Sequence, residues 1–247
     1  MSGRSFDTHH PKTWQRDRLV AVAEYTGVLA SGLAESAGYI SVERSARAVA
    51  RLLSEYRCIT RICSWLVVLG DLSPAGVRRI VHASPGIFTV IARIATTVAL
   101  GLFLLSEEVA LLAAGGVVRG SLRPYAARLV PIFFFFYNLL KMATSVALLR
   151  ATKRISFEAT DTQSVIRKRR YKELFVTFME GTGYMIYAMT LLPTNTPRLT
   201  QALREERWVD RSYAVLSSLC PQAVRVSSTT QGIIGLVATI PSFFGSS

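Results

Sequence analysis

The chain has 247 residues, of which 50% are apolar and 18% charged, and its mean hydropathy is +0.32. That is more apolar and less charged than an ordinary soluble domain. Against 16 acidic residues stand 29 basic ones, leaving +13, a balance that suits nucleic acid or a membrane carrying anionic lipid.

The pattern of the basic residues decides between those partners. There is no zinc-finger spacing, RNP-like strand or basic-region zipper, and the aromatics gather in apolar runs such as Phe133–Tyr137. Phospholipid, not nucleic acid, is the expected partner. Three cysteines, Cys58, Cys63 and Cys220, form no Cys-x-x-Cys pair, so a disulfide framework is not expected and a reducing compartment fits. The polar start lacks the apolar core of a secretory signal, and the Gly-Ser-Ser end is not a Ser-Lys-Leu signal.

In chain order, residues 1–12 read as a mobile tail. Thr13 is a candidate N-cap, and Trp14 to about Glu35 repeats Val22, Tyr25, Leu29 and Leu33 at helical spacing. Ser36–Ser41 is a turn around Gly38. The stretch Glu43–Leu69 has no Gly or Pro and divides into two faces. Glu43, Arg47, Arg51, Ser54 and Arg61 share one side; Val49, Leu52, Leu53, Tyr56, Ile59 and Cys63 lie opposite, with Arg44 and Arg57 on the flanks. Such a helix suits a bilayer interface, with Arg44, Arg47, Arg51, Arg57 and Arg61 on lipid phosphates and Leu52, Leu53, Tyr56 and Ile59 among acyl chains. Taken alone, the same pattern reads better as a core helix of a soluble bundle or a calmodulin-type target. The apolar, basic chain around it reverses that preference. Trp65–Leu69 is apolar on every side, so the wedge proper runs from Glu43 to about Ser64.

Gly70 and Pro74 stop the helix, and a short one follows at Ala75–Ala83. Ile87–Leu105 is long enough to span but carries Arg93; a half-buried bundle helix fits it equally. Glu107 and Glu108 then open a separate short helix, Val109–Val118. Leu129–Leu149, with Lys141 its one charge and Pro131 near its start, is the best candidate span. Arg150–Lys172 is basic. It reads as a solvated linker or as a juxtamembrane cluster in which Arg167, Lys168, Arg169, Arg170 and Lys172 face anionic lipid. Leu174–Leu192 holds Glu180, which suits either a functional intramembrane carboxylate or a bundle-facing one with an arginine partner. After the Pro193–Pro197 break come an amphipathic helix over Leu199–Leu219 and a short apolar tail over Gly232–Phe244. In that tail Gly232 and Gly235 would let another helix approach closely.

The expected fold is all-α: a helical membrane protein with amphipathic interfacial helices and one to three apolar spans. It divides into the tail 1–12, an amphipathic region 13–85 and a membrane-associated region 86–247. No phosphate loop, dinucleotide fingerprint or His-Glu-x-x-His motif occurs. The only histidines are His9, His10 and His82, and Asp7 beside the first two is a weak metal set. The chain therefore reads as a non-enzyme with no catalytic residue, no metal and no cofactor.

Four segments, in order, resemble the peroxin-11 family of peroxisomal membrane proteins, including its relatives on glycosomes. Thr13–Arg18, with Tyr25 downstream, is similar to the family's Thr-x-Gly-Arg-Asp-Lys start, with Gln15 in place of Gly. Ser54–Gly70 resembles its basic amphipathic helix, Phe103–Val109 its aromatic-then-acidic segment, and Gly232–Ile240 its glycine-spaced end; Arg169–Tyr184 is loosely similar. The resemblance implies an integral peroxisomal (glycosomal) membrane protein with both termini cytosolic. It further implies elongation of the membrane by an inserted amphipathic helix, self-association, and recruitment of a fission adaptor and a dynamin-related GTPase. The alternative it offers is a pore for small metabolites. Spans at 129–149 and 232–244 would put Arg150–Lys172 in the lumen, against the positive-inside rule.

Overall fold

The computed structural model describes residues 11–154, 161–194 and 208–244. Most of the tail, with Asp7, His9 and His10, lies outside these residues. So do positions 155–160 of the basic block, the end of the Pro193–Pro197 break, and the expected helix over Leu199–Leu219 as far as Arg207. The side chain of Arg167 is also outside. Within the described residues the fold is all-α.

The helices are α1 (Pro11–Ser36), α2 (Ile40–Thr60), α3 (Ser64–Gly70), α4 (Pro74–His82) and α5 (Ile87–Ala114). After a single 3-10 turn, Gly120–Leu122, come α6 (Arg123–Arg154), α7 (Asp161–Leu191), α8 (Trp208–Ser218), α9 (Ser228–Thr239) and α10 (Pro241–Phe244). Local signals account for the breaks. Gly38 adopts φ +77° in the α1–α2 turn, a left-handed conformation that costs glycine little. Ser73 caps α4 by accepting a hydrogen bond from the Gly76 N–H, with Pro74 in the first turn.

Four sequence expectations need correction. Glu43–Leu69 is not one helix: α2 ends at Thr60, and Cys63, at φ +61°, turns the chain before α3. A non-glycine residue in that region is uncommon; here its backbone N–H is held by Glu108 Oε2 at 2.8 Å. Conversely, Glu107 and Glu108 do not break the next helix, which runs unbroken from Ile87 to Ala114. Both carboxylates find partners from the α2–α3 junction, Glu107 on Arg61 at 3.3 Å and Glu108 on Cys63, so no solvent-facing turn is required there. The helix holding Pro131 starts at Arg123, which makes the proline internal; its ring removes one backbone donor, a loss neighbouring helices can accommodate in an apolar bundle. Finally, the basic residues from Asp161 to Lys172 are helical and continuous with Leu174–Leu191 in α7.

Packing follows small residues and aromatics. α5 and α6 run side by side, α6 lies against α7, α7 against α9, α9 against α1, and α1 against α2; α3 lies on α5. Gly232 and Gly235 are buried against α1: a methyl group on Gly232 would sit 2.6 Å from the Leu29 backbone nitrogen, and one on Gly235 would overlap the Tyr25 ring. Gly32 on α1 meets Thr229 in the same way. The glycine-spaced tail is thus an intramolecular packing seam. Tyr25, Tyr187, Phe134 and Tyr184 stack where α1, α6 and α7 meet. A second cluster, Ile132, Phe135, Ala188, Leu192 and Cys220, joins α6, α7 and the end of α8. A third, Val68, Phe103 and Leu104, holds α3 to α5.

Candidate membrane-facing surface

Two helical segments, Ile87–Ala114 and Gly120–Thr152, are long and apolar enough to cross a membrane, with mean hydropathies of 2.1 and 1.7. Only 39% and 28% of their apolar windows are buried by the protein. The core helix of a soluble bundle would be mostly covered, since apolar surface left in water is unfavourable. Large side chains stand in the open along the outside of the bundle. Phe88 is 85% exposed, and Ile87, Ile91, Leu66, Val67, Ile233 and Val237 are likewise exposed. Exposed large apolar side chains in this number suit a surface that meets lipid or a partner.

α2 is organised the same way. Its inner side, with buried Ala50 over Gly27, lies on α1. Its outer side exposes Val42, Val49, Leu52, Tyr56 and Ile59 in one stripe, with Leu53 half-buried at the edge. Of the five arginines expected on lipid, three are in the open: Arg44 on the flank of this stripe, and Arg47 and Arg51 on the opposite, polar side of the helix. Arg47 pairs with Glu43 at 2.8 Å and Arg51 with Glu55 at 2.9 Å, exposed pairs of little energetic weight.

Arg57 and Arg61 are placed differently. Arg57 turns inward and reaches Glu24 Oε2 at 2.7 Å and Asp17 Oδ1 at 3.4 Å. Arg61 lies 3.5 Å from Asp17 and 3.3 Å from Glu107. Burial pulls against the Arg57 charge, but Tyr25, Asp17 and Glu24 outweigh it and hold its pKa well above the ordinary value. The two residues form an ionic clamp that fixes α2 on α1 and α5. Helical periodicity missed this because Asp17, Glu24 and Glu107 are 33 to 46 positions away on other helices, although the acidic residues of an otherwise basic chain were the signal to follow.

Comparison with known protein families, curated proteins and solved structures finds no match for this chain.

The ionisable groups inside the apolar runs are also accounted for. Lys141 on α6 donates to Glu180 on α7 at 2.9 Å, so the partner of Glu180 is a lysine and not the arginine expected. Arg93 reaches back to the Ala83 carbonyl and Ser84 Oγ, both at 3.4 Å. Among the described residues no group of three His, Cys, Asp or Glu side chains could hold a metal ion. Of the basic cluster, Lys168, Arg169, Arg170 and Lys172 are exposed on the first turns of α7; Arg169 pairs with Glu173 at 3.3 Å.

Proposed function

We propose that this chain is an integral protein of the peroxisomal (glycosomal) membrane that bends and elongates that membrane, promoting organelle proliferation and fission. The observation that carries the reading is the outward stripe of α2, five apolar side chains bare to the surroundings, with exposed Arg44 on its flank and exposed Arg47 and Arg51 on the polar side. Seated at the headgroup level, such a face pushes apolar bulk into one leaflet while the guanidiniums meet phosphates. An element that expands one leaflet but not the other favours curvature. The ionic clamp beneath supports the reading: it anchors the wedge to α1 and to α5, one of the two helices that would cross the bilayer, so that insertion strain passes to the protein. The order of the peroxin-11-like segments supports the organelle, self-association and the recruitment of a fission adaptor and a dynamin-related GTPase.

With α5 and α6 as an antiparallel hairpin, α4 and the start of α7 come to one side. That side carries Arg78, Arg79, Arg150, Lys168, Arg169, Arg170 and Lys172. The positive-inside rule then places it in the cytosol, and the conflict raised by spans at 129–149 and 232–244 disappears. The metabolite-pore reading is weaker, because of the three charges it would use, Arg93, Lys141 and Glu180, the last two neutralise each other.

Reconstitution of the full chain into large vesicles containing anionic lipid tests the proposal by electron microscopy. Tubules are expected. Spherical vesicles at high protein density, with the chain demonstrably inserted, would sink it.

A further inference from the structure

At the basic end of the α5–α6 hairpin the structure forms a cleft of about 250 Å³, lined by His82, Ser84, Pro85, Thr152 and Arg170 together with Ala83, Leu148 and Ala151. Pockets that enclose a drug-sized molecule run from about 300 Å³ upward, so this one suits a small group rather than a whole nucleotide. Among the described residues no carboxylate lines it. Arg93 stands behind this lining, with long contacts to Ala83 and Ser84. Those contacts leave other N–H donors of its guanidinium without a protein partner among the described residues. Arg170, on the lining, makes no ion pair among the described residues. Two like charges on either side of Ser84, with no counter-charge among the described residues, define a position where an anion is favourable. The Ser84 and Thr152 hydroxyls already donate to the Ile80 and Leu148 carbonyls, so the arginines and His82 remain as donors.

The surroundings identify the anion. Ile87, Phe88 and Ile91, on the first turns of α5 just beyond Pro85, are all exposed. A polar cleft at the end of an apolar hairpin matches a molecule with a charged head and apolar chains. We propose that this cleft is a binding site for the phosphate of an anionic phospholipid, held by Arg170 with Arg93 behind Ser84, its acyl chains running along the apolar hairpin. The site is separate from the α2 stripe. It would fix individual lipid molecules at the basic end of the hairpin, whereas α2, whose end meets α5 at Glu107 and Glu108, engages the bilayer as a surface; it rests on the membrane reading above.

The test uses the full chain in nanodiscs of phosphatidylcholine doped with photo-crosslinkable phosphatidic acid, with labelled peptides mapped by mass spectrometry. Labelling is expected at residues 82–93 and around Arg170. R170Q, at an exposed position where folding is not at stake, is expected to lower it about ten-fold, the loss of one charge-assisted contact, and R170K to retain most of it. Labelling that is no stronger here than elsewhere on the chain, or that R170Q leaves unchanged, overturns the proposal. Full displacement by millimolar inorganic phosphate also overturns it, since the occupant would then be a soluble anion. A chain that never enters the nanodiscs defeats the membrane reading itself, an outcome distinct from normal insertion without lipid labelling at the cleft.

Discussion

The Lys141 ammonium lies 2.9 Å from Glu180 Oε2, and the two side chains are only 19% and 12% exposed. This pair ties α6 to α7 in a stretch otherwise built from Phe133–Phe136 and Met185. Such a pair adds little net stability over an apolar pair of the same size, but removing one member leaves the other buried and unpaired. K141M is therefore expected to destabilise the fold by about 3–5 kcal/mol, and the double variant K141M/E180L by much less. Thermal unfolding in detergent, read as a double-mutant cycle, checks this; equal losses in the single and double variants would refute a coupled pair.

Gly232 in the α1–α9 seam and Gly70 outside it are expected to respond to substitution in opposite ways. A Cβ on Gly232 would meet Leu29 backbone atoms at 2.6 and 2.7 Å. Backbone cannot rotate away, so G232A is expected to cost about 1–3 kcal/mol through forced separation of the helices. Gly70, at the end of α3, has nothing within 4 Å of its would-be Cβ. G70A is expected to be neutral or slightly stabilising, by at most about 1 kcal/mol. Melting temperatures of the two variants in the same detergent decide it.

The glycine-spaced tail shows what could be read from the sequence. Gly232 and Gly235 announced close helix packing by spacing alone, and so did the stops at Gly38, Gly70 and Pro74, because these depend on local backbone chemistry. The breaks at Cys63 and Glu107 were misread for one shared reason. Glu108 reaches the Cys63 amide and Glu107 reaches Arg61 across 45 and 46 positions, and a tertiary contact of that kind reverses what local propensity dictates. The same contacts draw Arg57 and Arg61 inward, where periodicity had placed them with the lipid-facing arginines. The cleft at His82, Arg93 and Arg170 could not be anticipated at all, since three separate helices supply it.

The cysteines differ in reactivity. Burial, together with the Glu107 charge, pushes the Cys58 thiol from its ordinary 9.0 up to about 12, and burial alone pushes Cys220 up to about 11. Cys63 is exposed. At pH 8 a maleimide is expected to modify Cys63 first, because the thiolate is the nucleophile. The shift also has a linkage consequence. The unfolded chain releases the Cys58 proton near its ordinary value while the folded chain keeps it to about 12. In that window the unfolded state binds fewer protons, so stability falls as pH rises, and below it the contribution is intact. C58A should flatten the decline in stability between about pH 9 and pH 12. An unchanged slope would show that the proton is not held.

The five arginines of α2 separate by role. Arg57, with a side chain 14% exposed, neutralises Glu24 and Asp17. R57Q leaves those carboxylates without their main counter-charge and is expected to destabilise the fold by about 3–5 kcal/mol. Arg47 and Arg51 are 59% and 72% exposed, so R47Q and R51Q should change stability by no more than about 0.5 kcal/mol. Each should nonetheless weaken vesicle binding by about 1 kcal/mol, roughly five-fold, if it sits near anionic headgroups. That loss should shrink at high salt, where exposed charges are screened. Co-sedimentation with vesicles of graded anionic content, run beside thermal unfolding of the same variants, measures both quantities. If R47Q/R51Q binds as well as the parent chain while R57Q folds normally, the division between a lipid-facing row and an ionic clamp is wrong.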